Sequence, residues 1–245
     1  MQNTDLVSIL KESWQLTRQG LQPILGACLI AFAVLAVITM AGLNLVASFW
    51  DLDLSDPDAL MDAMGPVQLF LLAAMAPFEA GLAYLGWRRA TGQHGNINMM
   101  FNAWALAAPL VLIALVSSVL ANLGMLLIFP GIYLMAVLSQ ANLYYLFYRG
   151  SPMKAMFESA KVVHRHILVV LPFYLFMVVL IAFSALPMGV GLVLTLPFYF
   201  YGKGVLFREL FPELTPKPEQ DTDADDKGSE QPPMSGGNQP GSFEA

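Results

Sequence analysis

Three long blocks of this chain contain no Asp, Glu, Lys or Arg: between Arg18 and Asp51, between Arg89 and Arg149, and between Arg165 and Lys203. A helix at a protein–water boundary keeps one polar face, and these blocks have no charge to put on one. About 20 apolar residues cross a hydrocarbon core of roughly 30 Å, and the middle block is long enough for two crossings and a turn. The chain therefore reads as an all-α polytopic membrane protein. Transmembrane helices are expected at 24–48, 66–88, 105–129, 131–148, 167–187 and 189–208, six helices arranged as three hairpins. A count of four would need single runs far longer than one bilayer.

The connections support this division. Asp51, Asp53, Asp56, Asp58 and Asp62 make a polar acidic loop after the first span. Pro130 and Gly131 supply a tight structural turn between the third and fourth, and Pro187 and Gly189 do the same between the fifth and sixth. Orientation follows from the bases. Lys11 and Arg18 precede the first span, Arg88 and Arg89 follow the second, and Arg149, Lys154, Lys161 and Arg165 lie between the fourth and fifth. Lys203 and Arg208 close the sixth, so all these segments fall on the side where the positive-inside rule places the cytoplasm. Both termini are expected there. The basic N-terminus and Val46-Ala47-Ser48 superficially suggest a cleaved secretory signal, but the apolar run is too long for a signal core of roughly 7–15 residues.

The net charge of -6 belongs to one segment. From Glu213 to Ala245 the chain is acidic and rich in Pro, Gly, Ser and Gln, whereas acids and bases balance over 1–212. The expected organisation is an integral membrane domain over 1–212 and a disordered acidic cytoplasmic tail over 213–245. Cys28 is the single cysteine and reads as a small packing residue.

An internal pattern accompanies the spans. The even-numbered ones end in an aromatic followed by arginine, at Trp87-Arg88, Tyr148-Arg149 and Phe207-Arg208, and Pro77-Phe78 and Pro197-Phe198 stand at matching distances before two of these arginines. Each odd-numbered span follows a short amphipathic segment. In the clearest, Ser151 is placed to cap and Pro152 to begin a helix. Its apolar face would be Met153, Met156, Phe157 and Ala160, and its polar face Lys154, Glu158 and Lys161. Leu6–Leu16 is a second such segment and Asn96–Trp104 a weaker third. The unit would be an interfacial helix followed by a hairpin, repeated three times; the competing explanation of the aromatic-Arg endings is an interfacial belt.

The run Phe129-Pro130-Gly131-Ile132-Tyr133 is followed by Ala155, Ser159 and Lys161 in an A-x3-S-x-K arrangement, with Pro77-x3-Gly81 upstream and Pro197 downstream. Over roughly residues 60–212 these short motifs resemble an uncharacterised group of bacterial six-helix integral membrane proteins, similar to the membrane domain of glycerophosphodiester phosphodiesterases. The resemblance implies a bacterial cytoplasmic (inner) membrane protein. It carries no catalytic residue, and no phosphodiesterase domain accompanies it.

Among candidate sites Glu79 is the most unusual, an acid about 13 Å inside the Arg88 boundary at helical rise. An intramembrane carboxylate is a functional-site hypothesis by default. It could bind a proton or cation, or pair with Lys203, although a lysine so near the boundary can also snorkel unaided. Asn122, Gln140 and Asn142 are amides within spans, either hydrogen-bonding across helices or lining a polar path. Arg88, Arg89, Arg149, Lys154, Lys161, Arg165 and Arg208 are placed for anionic headgroups. His164 and His166 point to different helix faces, so no metal site, and likewise no cofactor, catalytic group or nucleic-acid partner, is expected. The leading expectation is a non-enzymatic protein of envelope maintenance, working through lipid contacts, a membrane-protein partner or self-association. The alternative is a small transporter or channel using Glu79.

Overall fold

The computed structural model describes residues 5–53, 55–93, 95–186 and 191–215, and the described residues are all-helical. Helix α1 (Leu6–Gln19) leads through Gly20 into α2 (Leu21–Trp50). Helix α3 (Pro57–Ala90) follows, then a 3-10 stretch (Ile97–Leu106) that runs directly into α4 (Ala107–Met125). Next come α5 (Phe129–Leu138), α6 (Ala141–Tyr148), α7 (Pro152–Arg165), α8 (Ile167–Ala185) and α9 (Leu192–Leu210).

Four helical segments are long and apolar enough to cross a membrane: Leu21–Trp50, Pro57–Ala90, Ile97–Met125 and Ile167–Ala185. They contain the expected spans at 24–48, 66–88 and most of 105–129 and 167–187. The remaining two are different in kind. The 131–148 segment is broken at Ser139–Gln140 into α5 and α6, and α9 packs Lys203, Arg208 and Glu209 into 19 residues. The expected turn at 187–189 and the tail from 216 onward lie outside the described residues.

Local chemistry moves several expected boundaries. The acidic loop is shorter than expected, because Asp56 caps α3 by accepting the Asp58 N–H at 3.1 Å and Pro57 occupies the first turn. Asp58 and Asp62 are therefore helical. Within the loop, Ser55 donates to Asp53 from its hydroxyl and its backbone N–H, which holds that carboxyl below its usual range. The turn between α4 and α5 falls at Leu126–Ile128, where Ile128 takes φ 57°, and not at Pro130-Gly131. Pro130 instead stands in the first turn of α5, where its missing N–H costs nothing. Gly131 is a contact residue: a Cβ there would come within 2.6 Å of the Met125 backbone nitrogen.

Helix α7 is amphipathic as expected, but with a different buried face. Ala155, Met156, Ser159 and Val163 point inward, while Met153 and Phe157 are exposed. Ser151 makes no side-chain cap; its backbone carbonyl accepts from Ala155 instead. The cause of the rotation is that α7 packs lengthwise on α4, α5 and α6. Tyr133 and His164 are hydrogen-bonded at 2.7 Å, and Ser117 donates to Met156 Sδ at 3.8 Å.

The core is organised on α3 and α9, the most extensive helix pair. They run in the same direction, so Arg208 reaches the Ala90 carbonyl at 2.6 Å. Trp87 and Phe207 do not form an outward belt. Both are buried, and Phe147 bridges them at ring-centroid distances of 4.6 and 5.4 Å. Tyr148 alone of the three is partly exposed, with the Lys154 ammonium 5.9 Å from its ring.

Arg208 is also the anchor of α1. It binds Glu12 through both guanidinium nitrogens at 2.6 and 2.8 Å and takes Glu209 as a further partner. Both ends of the Glu12 pair are partly exposed, so solvent screens it, and its bidentate geometry places it near the upper end of such pairs, about 1 kcal/mol. Glu12→Gln should therefore speed trypsin cleavage at Lys11 and Arg18 by about fivefold, the equivalent of that energy in local opening. An unchanged cleavage rate would show that α1 is held by its apolar face alone.

Candidate functional site

The sequence singled out Glu79, and the fold gives it a partner. Pro77 and Phe78 are buried, and Glu79 follows them on a face turned toward α9, where its carboxylate accepts a hydrogen bond from the Lys203 ammonium. Lys203 does not snorkel. Its side chain is 1% exposed, whereas that of Glu79 is 32% exposed. A lysine on α9 is held inward because Gly202 and Gly204 flank it. A Cβ at Gly202 would press on Phe173 and Met177, and one at Gly204 on the α3 backbone, so both neighbouring helices lie close on either side.

The pair continues into neighbours that hydropathy alone hides. Tyr199, one helical turn before Lys203 on α9, meets Tyr174 of α8 edge to face with centroids 6.4 Å apart. Tyr174 accepts a hydrogen bond from fully buried Gln140 at 3.2 Å. Gln140 is delivered by the break between α5 and α6. There Ser139 turns its hydroxyl back onto the Ala136 carbonyl at 2.6 Å, and that carbonyl also accepts the Ser139 backbone N–H at 3.4 Å. Polar side chains from α3, α9, α8 and the α5–α6 break thus converge in one cluster.

The other expected amides separate. Asn142 is buried near the same break, and its Oδ1, like Oε1 of Gln140, has no protein partner. Asn122 stands apart: it is exposed and donates to the Ser118 carbonyl of its own helix at 2.8 Å. A file of Glu79, Asn122 and Asn142 is therefore not formed, and Asn122 does not bond across helices.

The basic residues divide as well. Arg208 is saturated by the contacts already described. Lys154, Lys161 and Arg165 are exposed along α7, with Arg149 beside them, and none of the four has a carboxylate partner among the described residues. Arg149 is held at φ 46° with its Nε donating to the Leu146 carbonyl at 3.2 Å. Arg88 and Arg89 are partly buried, and the Nε of each is shut away without a partner.

Among the described residues, no group of three or more His, Cys, Asp or Glu side chains is gathered that could hold a metal ion. What the arrangement can do is hold one charge pair in place, its lysine buried, and present unpaired cations along α7. Comparison with protein-family models, with curated proteins and with solved structures finds no match to this chain.

Proposed function

We propose that this is a bacterial inner-membrane protein of six crossings, with both termini cytoplasmic, that works without catalysis by binding anionic lipid at its cytoplasmic face. The observation that carries the reading is the row of unpaired bases on α7, Lys154, Lys161 and Arg165, exposed beside Arg149. Cations left without protein partners along an amphipathic helix suit an anionic surface, which attracts each by about 1 kcal/mol near the membrane. The order of helices agrees with a threefold unit of a short segment followed by two longer ones: α1 with α2 and α3, the 3-10 stretch with α4 and α5–α6, and α7 with α8 and α9. The transporter alternative loses support because Glu79 is engaged by Lys203 and Asn122 lies elsewhere.

The test is lipid enrichment. Protein reconstituted in mixed phosphatidylglycerol–phosphatidylcholine nanodiscs is compared with the triple variant Lys154→Gln, Lys161→Gln, Arg165→Gln. The variant should lose anionic-lipid preference by roughly a hundredfold, on about 1 kcal/mol per base. Equal preference in both proteins would overturn the reading.

A further inference from the structure

A cavity of about 390 Å³ opens where α1 turns into α2, between Gln19, Gln22 and Ile24 on one side and Leu85, Arg89 and Tyr201 on the other. Tyr201 is already engaged, since its hydroxyl donates to the Gly20 carbonyl. Arg89 is not. Its guanidinium lies flat on Gly20, so close that a Cβ there would meet Nε at 3.0 Å and Nη2 at 3.2 Å. The Nε is closed off from solvent with no partner, and no described carboxylate pairs with this arginine.

The neighbour on which Arg89 rests makes this more pointed. Gly20 is the residue before the first turn of α2, a helix of 30 residues with no capping side chain, and Leu21 and Gln22 of that turn line the cavity. The amides of a first turn lack carbonyl partners and carry partial positive charge. Arg89 sits well with the end of its own helix α3, where cations are favoured, but that does not account for its being laid on the positive end of another. A guanidinium and a bare helix start thus share one cavity without a described counter-charge.

We infer that this cavity binds a phosphate group, the chemistry shared by a phospholipid headgroup and free phosphate. The lining offers both chemistries that a phospholipid presents: Gln19, Gln22 and Arg89 are polar, and Leu21, Pro23, Ile24 and Leu85 are apolar. Leu85 lies one helical turn before Arg89, about 6 Å at helical rise, so an apolar side chain stands next to the guanidinium. The inference rests on the reading of this end of the bundle as an anionic-lipid surface, and it adds a discrete site distinct from the α7 bases.

Native mass spectrometry of the full chain in mild detergent tests it, with phosphatidylglycerol, a diacylglycerol of the same chains and inorganic phosphate as probes. Wild type should retain one phosphatidylglycerol and no diacylglycerol. Displacement of that lipid by excess inorganic phosphate would assign the site to free phosphate, and resistance to displacement would assign it to the lipid. Arg89→Gln should weaken retention by about tenfold, the scale of one charge-assisted bidentate contact. Gln22→Glu guards against misfolding as an explanation: it tethers a carboxylate at the helix start, so it should abolish retention while raising the melting temperature. If both variants keep the lipid as wild type does while the triple α7 variant loses its preference, the site is wrong and the surface reading stands. If wild type retains no phosphatidylglycerol and binds no phosphate, the site is wrong, and the nanodisc comparison alone decides the surface reading.

Discussion

Glu79→Gln should destabilise the protein by about 3–5 kcal/mol, because it strands a buried cation. The asymmetry of the pair sets the size of the effect. Lys203 is 1% exposed and Glu79 is its one acid partner among the described residues, whereas Glu79 is 32% exposed. Lys203→Met should therefore cost less than Glu79→Gln, since the carboxylate left behind keeps some access to solvent. The double variant Glu79→Leu, Lys203→Met should recover most of the loss, as a well-packed apolar replacement removes both desolvation penalties together. Thermal unfolding in detergent reads all three. At roughly 2–4 °C per kcal/mol for a domain of this size, Glu79→Gln should lower the midpoint by on the order of 10 °C. A double variant no more stable than Glu79→Gln would mean that the two residues act independently and that the pair is incidental.

The same residues show how far the sequence carries. Glu79 was legible because it is the only acid inside an expected span, and intramembrane charge is costly enough to demand a reason. Lys203 was legible as a possible partner, but not as a buried one. Nothing in a linear hydropathy reading shows that Gly202 and Gly204 bring the neighbouring helices in tightly around it. Tyr174, Tyr199 and Gln140 were harder. Tyrosines count as interfacial aromatics, and the break that delivers Gln140 contains neither proline nor glycine, so no local signal marks it. The inward turn of Trp87 and Phe207 was hidden for a related reason. From Ala80 to Trp87 helix α3 carries no charged residue on any side, so periodicity cannot say which face meets protein and which meets lipid. The displaced turn at Leu126–Ile128 follows from proline being as suited to the first turn of a helix as to the loop before it.

Gly86→Ala should disrupt the fold more than any other single methyl addition along α3. A Cβ at Gly86 would stand 2.1 Å from the Phe200 carbonyl oxygen, and one at Gly204 would stand 2.2 Å from the Gly86 carbonyl carbon. The obstacle in each case is backbone, so no rotamer change relieves it. Small residues at helix crossings in membranes allow backbones to approach closely, and here packing must supply much of the adhesion that hydrophobicity supplies in water. Separating α3 from α9 would also pull Glu79 from Lys203 and loosen the Arg208 contact with Ala90. The cost should therefore reach or exceed the usual overpacking range of about 1–3 kcal/mol. Gly65 in the same helix is the control, because a Cβ there meets nothing within 4 Å. Gly65→Ala should stabilise slightly, by about 0.5–1 kcal/mol, as alanine is the better helix former. Opposite signs for one methyl group placed at two points of one helix would locate the decisive contact at the α3–α9 crossing. Loss of stability at both positions would mean that α3 is constrained along its whole length and that the crossing is not special.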